Sequence, residues 1–257
     1  YNNNNIIIKY LSALNKLFDT KIIIYLRRQD EFIESLYTQS IKSGNTHIFD
    51  KFIKSFNTQK FNWYNYLKQW LEYFTKNDLK IRIYNKRTLA KGNVVHDFAN
   101  IINSQVLKED KRSYQINSGY SQKSLEIARS FNQYLNKEEI KHIRPYLEKI
   151  DPKIKFNSFN YFSYKDRKQL LSYYEKSNKE LMKYYSIGIT KEFFKIEKEK
   201  DKKDGQLKIN SENHIIIISK LFSLLIKENI TLRHKTKPSL KNLSRMLSYL
   251  LKNILKN

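Results

Sequence analysis

Apolar residues recur at Ile7, Leu11, Leu14 and Phe18, a spacing that predicts an amphipathic helix over residues 5–18. Lys21 to Leu26 reads KIIIYL, a continuous β-branched run of strand length. That pattern suits a strand buried on both faces of a parallel sheet. A second helix is predicted from Asp30 to Ser43. Asp30 is its expected N-cap, Glu31 and Glu34 suit the positive helix start, and Gly44 stops it. Over residues 60–76 a stripe of Trp63, Tyr66, Leu67, Trp70, Leu71 and Phe74 predicts a further helix. Leu79 to Tyr84, LKIRIY, alternates as a strand does. Helix, strand, helix, helix, strand is α/β order and implies a parallel sheet flanked by helices.

Beyond about residue 96 the strand signals fade. Helical patterns cover Gln122 to Tyr134, Lys137 to Lys149 and Tyr164 to Tyr185. The last carries Leu170, Leu171, Tyr174, Asn178, Leu181, Met182 and Tyr185 along one face. Residues 195–208 (KIEKEKDKKDGQLK) read as a mixed-charge linker or solvated helix end. The tail from His214 to Asn257 reads as two basic amphipathic helices broken near Lys237-Pro238. The expected organisation is therefore an α/β part over residues 1–100, a helical part of the same domain over 101–195, and a charged linker with a basic tail over 196–257.

Composition sharpens this picture at three points. Of 257 residues, 40% are hydrophobic and 14% aromatic, enough for a packed core rather than a disordered chain. There is no cysteine, which excludes disulfides and thiolate-bound zinc and fits a cytoplasmic protein. The formal net charge is +24, a balance met in proteins that bind nucleic acid, acidic glycans, anionic membranes or phosphorylated ligands. Lysine is spread along nearly every segment of a chain rich in Lys, Asn and Ile, so a biased composition accounts for the charge equally well. The longest apolar runs fall far short of the ~20 residues a membrane span needs.

The segment that carries chemistry is KIIIYLRRQDEFIESLYTQS, Lys21 to Ser40. Arg27 follows the strand at its carboxyl end, the edge where open α/β sheets bind ligands. Ser35 lies eight residues on, in the next helix. A planar, permanently charged guanidinium and a short hydroxyl donor converging from these positions suit a phosphate. Spacing alone equally allows Arg27 to pair with Glu31 or Glu34.

Strand, Arg27, Ser35 and then the aromatic Tyr37 resemble the 3′-phosphate-binding motif of sulfotransferases. The wording YLRRQDEFIESLYTQSIKSG is similar to bacterial sulfotransferase-like proteins associated with surface polysaccharides. Softer similarity continues through Trp70, Phe74, LKIRIYNKRTL, the Gly92 to Ile101 segment with Asp97-Phe98, and a helix ending in Ser177-Asn178. It covers roughly residues 15–195. The resemblance implies a P-loop-like three-layer sandwich, here partial and followed by a mainly helical C-terminal region. It implies a parent enzyme that moves a sulfuryl group from 3′-phosphoadenosine 5′-phosphosulfate (PAPS) to a hydroxyl, with a glycan as the expected acceptor. Arg27 and Ser35 would hold the 3′-phosphate of PAPS or of adenosine 3′,5′-bisphosphate; Arg28 is a weaker candidate that faces solvent or pairs with an acidic neighbour.

The family's second phosphate loop, a Lys-Ser/Thr-Gly-Thr-like turn at a helix start, is expected N-terminal to Arg27. No such loop stands in the 26 residues before it, and Tyr1 in place of Met points to a truncated chain. Gly119 to Ser124 is the nearest string and reads as a helix N-terminus. The catalytic base is missing as well: Asp19 is the sole carboxylate before Arg27 and sits in a helix–strand turn. No catalytic residue is therefore assigned, and the isolated chain is expected to be inactive. His47, placed after Gly44 near the presumed ligand edge, is a possible acceptor contact. His96, His142, His214 and His234 lack metal-ligand spacing, and no HExxH, GxSxG or Walker sequence is present. The alternative reading is a basic, non-enzymatic module for nucleic acid or acidic glycan, using Arg233, His234, Lys235, Lys237, Lys241 and Arg245. The same tail lying on anionic lipid is a third.

Overall fold

The structure is a computed structural model of the 257-residue chain; it describes residues 2–55, 58–105, 120–149, 161–185 and 218. The described part is mostly helical around a two-stranded parallel sheet. Helix α1 (Asn2–Leu14) leads to β1 (Ile22–Leu26), and α2 (Gln29–Lys42) follows after two residues. Then come α3 (Phe49–Lys54), a 3₁₀ turn (Thr58–Phe61), α4 (Trp63–Leu71) and β2 (Leu79–Ile83). A second 3₁₀ turn (Ala90–Gly92) precedes α5 (Val94–Ile101). Helices α6 (Gln122–Phe131), α7 (Lys137–Lys149), α8 (Tyr164–Tyr173) and α9 (Glu175–Tyr184) complete the described elements.

Strands β1 and β2 pair in parallel, with Ile22 opposite Leu79 and Leu26 opposite Ile83. Side chains alternate across a strand, so Ile22, Ile24 and Leu26 share a face with Leu79, Ile81 and Ile83. That face is the core. The other carries Ile23, Tyr25, the exposed Lys80 and the half-buried Arg82. The expectation of a strand buried on both faces is thus corrected: only Ile22 and Leu26 of KIIIYL are buried, and Ile23, Ile24 and Tyr25 are half-buried. Within the described residues each strand has a single neighbour, so both are edge strands.

The main core joins Ile33, Tyr37 and Ile41 of α2, Trp63 and Leu67 of α4, Leu125 and Phe131 of α6, and Leu147 of α7 to the sheet. Tyr174, Leu181 and Tyr185 belong to the same cluster. Tyr37 stands at its centre with ring centroids 5.2 Å from Phe49, 5.1 Å from Phe52 and 4.8 Å from Tyr161. A smaller cluster of Ile8, Ile22, Phe74 and Leu79 seats α1 under the start of the sheet.

Several expectations change. Helix α1 begins before residue 5 and ends at Leu14, and its packed residues are Ile8 and Leu11, while Ile7 and Phe18 are exposed. The stripe chosen from sequence was rotated because Ile6, Ile7 and Ile8 are chemically alike and only packing selects among them. Helix α2 begins at Gln29 with Arg28 as its N-cap residue and no side-chain cap. Asp30 is inside the first turn, not at the cap, because two arginines claim its carboxylate. The single helix expected over 164–185 is two, broken at Tyr174, whose φ of −94° and ψ of 0° are non-helical. Short α3 lacked a predicted counterpart, though Phe49 and Phe52 are buried. Ser121 caps α6 by accepting from Ser124 N at 3.1 Å, the helix start expected there. Gly44 takes a φ of +102° just beyond α2, a conformation that favours glycine. The linker and basic tail lie outside the described residues, Ile218 apart.

Candidate functional site

The turn after β1 is fixed from several sides. Trp63 on α4 donates its indole N–H to the Arg27 carbonyl at 2.8 Å. Arg28 turns inward and grips Asp30 in a fork, Nε to Oδ1 at 2.7 Å and Nη2 to Oδ2 at 2.9 Å. Asp30 is completely buried and is met from the opposite side by Arg167 of α8. Arg167 also donates to Glu34 at 2.9 Å, one turn further along α2. The same Glu34 oxygen accepts the backbone N–H groups of Tyr161 at 2.7 Å and Phe162 at 3.0 Å. Gln29 and Asn178 exchange amide hydrogen bonds at 2.7 and 3.3 Å. The first two turns of α2 are therefore held by residues 127 to 149 positions away.

Burial alone would raise the pKa of Asp30, but the hydrogen bond and charge of Arg28, with the charge of Arg167, outweigh it and hold the carboxyl below its ordinary value. Asp30 is thus an anion inside the protein, and its partners are obligatory.

Arg27 has a different fate. It lies on the same strand face as Tyr25, over the Tyr84 ring at 5.9 Å. Its only ion pair among the described residues is Nε to Glu31 Oε2, at a long 3.4 Å. Its two terminal nitrogens have no hydrogen-bond partner there. Ser35 is half-buried, one helical turn beyond Glu31, and its hydroxyl likewise has no partner among the described residues. Glu31 and Ser35, four residues apart, share a face of α2, and Arg27, in the extended turn just before the helix, reaches Glu31. Of the two pairings that spacing left open for Arg27, the structure shows Glu31; Glu34 belongs to Arg167. Arg28 pairs with acidic neighbours, one of the two roles expected for it.

Beside this stripe, Asp97 of α5 closes the other face of the sheet. It accepts from Arg82 Nε and from the Tyr25 hydroxyl, each at 2.9 Å, and from Ala90 N at 3.1 Å. Arg82 holds its carboxyl below the ordinary value. Burial, then the bond to Asp97, pushes the Tyr25 phenol up to about 12. His47 is not at this edge: it lies beside the C-terminal half of α2, its carbonyl accepting the Tyr37 hydroxyl at 3.2 Å. The placement near the ligand edge is corrected, because α2 carries the chain away from it. Asp19 is exposed and paired with Lys21 at 2.7 Å. No cluster of metal-ligating side chains occurs among the described residues, and no helix among them is long and apolar enough to cross a membrane.

Sequence reasoning singled out Arg27 and Ser35 but missed Arg167, Asn178 and the buried role of Asp30. The signal for Arg167 was its place on the α8 stripe, four residues before buried Leu171 and seven before buried Tyr174. A charge at a core position demands a buried partner.

No family model and no solved structure matches the chain. A protein of Archaeoglobus fulgidus described as an uncharacterized protein is 28% identical over 199 residues, 77% of this chain and 54% of the relative. The chain thus spans about half the length of the curated relative it matches.

Proposed function

We propose that this chain is the nucleotide-binding part of a sulfotransferase-like protein, with Arg27 and Ser35 holding the 3′-phosphate of PAPS or adenosine 3′,5′-bisphosphate. One observation carries the reading. Of two adjacent arginines at the carboxyl end of a parallel strand, Arg28 is consumed by the fold. Among the described residues, the terminal nitrogens of Arg27 have no hydrogen-bond partner, and neither has the hydroxyl of Ser35 on the helix that follows. Those residue types fit a phosphate: the guanidinium offers two parallel N–H donors and the hydroxyl a third bond.

On this reading the small parallel sheet belongs to a P-loop-like sandwich, and β1 and α2 form its 3′-phosphate half-site. PAPS supplies the activated sulfuryl group when bound. Residues of this chain bind and orient its nucleotide end. Transfer to a hydroxyl acceptor, such as one on a glycan in the cytoplasm, is an activity proposed for the whole protein.

Calorimetric titration with adenosine 3′,5′-bisphosphate, with adenosine 5′-monophosphate as control, tests the reading. The bisphosphate is expected to bind more tightly. Arg27→Ala and Ser35→Ala should each remove that preference, Arg27→Ala by roughly ten- to a hundredfold, the worth of a charge-assisted bond. Equal binding of both nucleotides, unchanged in Arg27→Ala, refutes it.

A further inference from the structure

We propose that Glu31 is a resident competitor for the anion at Arg27, and that it sets the affinity and charge selectivity of the site. The inference rests on the reading of Arg27 and Ser35 as a phosphate half-site and adds an affinity-determining residue to it.

The geometry separates Glu31 from the other carboxylates of α2. Asp30 and Glu34 are locked by bonds at or below 3.0 Å, whereas Glu31 bridges two guanidinium groups loosely. Its Oε2 is 3.4 Å from Arg27 Nε, and its Oε1 is 3.4 Å from Arg28 Nη2. Charge-assisted bonds of full strength close to about 2.7–2.9 Å. The Glu31 side chain is 30% exposed, against 0% for Asp30. It can therefore swing into water without stranding a buried charge.

The local charge balance makes this matter. Among the described residues, Arg27, Arg28 and Arg167 supply three positive charges, and Asp30, Glu31 and Glu34 supply three negative ones, so these six groups balance. Asp30 and Glu34 cannot leave. Moving Glu31 aside leaves a net positive charge beside Arg27. An arriving phosphate dianion, with more charge and more acceptor oxygens than a carboxylate, displaces Glu31 from Arg27. A weaker anion does not, and the site thereby discriminates between them.

The test is the affinity of Glu31→Gln for adenosine 3′,5′-bisphosphate, with Glu31→Asp as a charge-preserving control. Removing one repelling charge beside a solvent-facing dianion should tighten binding roughly three- to tenfold, and the gain should shrink as salt is raised. Glu31→Asp should bind as the unaltered chain does. Unchanged or weaker binding by Glu31→Gln, while Arg27→Ala still abolishes the bisphosphate preference, overturns the role of Glu31 and leaves the half-site standing. Equal tightening by Glu31→Asp overturns it too, since charge would not be the cause. Loss of any Arg27-dependent preference in the unaltered chain overturns both proposals together.

Discussion

Replacing Arg167 with Met removes a charge that two buried carboxylates share while keeping most of the side-chain volume. The Arg167 side chain is only 6% exposed, and its guanidinium meets Asp30, with no exposure at all, and Glu34. Removing one partner from a buried ion pair costs about 3–5 kcal/mol, because the remaining charge is stranded in a poor solvent. Here neither carboxylate is stranded completely. Asp30 keeps both bonds to Arg28, and Glu34 keeps two backbone donors. The expected loss is therefore at the low end, about 3 kcal/mol, still a large fraction of the ~5–15 kcal/mol that holds a typical domain. Urea denaturation of the single variant measures it. Adding Glu34→Gln should recover part of the loss, since Glu34 has no cation but Arg167 among the described residues and the neutral amide needs none, and the double variant should fall short of additivity by about 1 kcal/mol or more. A loss below about 1 kcal/mol for Arg167→Met, or strict additivity, would refute the view that this network holds the start of α2 in place.

Two further outcomes follow from the same packing and charge pairs. Asp78 is pulled down to about 2 by the Thr75 hydroxyl, then by Lys21 and the Thr75 N–H, and Asp97 and Asp30 are also lowered by their partners. A carboxyl with a lowered folded-state pKa adds stability that is complete above its unfolded value, about 3.9, and is lost as pH falls through the folded value. The melting temperature should therefore drop steeply between about pH 4 and pH 2; a flat profile across that window contradicts these assignments. Leu67, fully buried on α4 against the main core, should cost about 2–5 kcal/mol when replaced by Ala, read by the same urea titration.

Strands and longer helices were legible because their periodicities are strong. LKIRIY alternates and forms β2 almost to the residue, and KEEIKHIRPYLEK forms α7 with the predicted bounds. Where several apolar residues adjoin, as at Ile6, Ile7 and Ile8, periodicity could not choose the packed face of α1. The break at Tyr174 was hidden because the apolar stripe runs through it: Leu171, Tyr174, Asn178 and Leu181 are all buried on either side. Pairings such as Arg167 with Asp30 or Gln29 with Asn178 span more than 130 residues, and no local pattern specifies them.

The contrast between Arg27 and Arg28 was nonetheless written in the chain, as a matter of parity. Alternation along β1 puts Leu26 on the core face and Tyr25 on the half-open face, and it persists through the two residues before α2. Arg28 continues the parity of Leu26 and is carried inward, where a buried charge is tolerable only if Asp30 and, beyond it, Arg167 and Glu34 complete a balanced network. Arg27 continues the parity of Tyr25 and emerges beside Tyr84, where its terminal nitrogens meet no hydrogen-bond partner among the described residues. Arginines at such neighbouring positions are thus not interchangeable. The inner one is a structural requirement whose loss should be read in stability, and the outer one is free for a ligand, so its loss should be read in binding. Helical spacing makes the matching contrast between neighbouring carboxylates: the Glu31 side chain is 30% exposed, while Asp30, one position before it on α2, is fully buried.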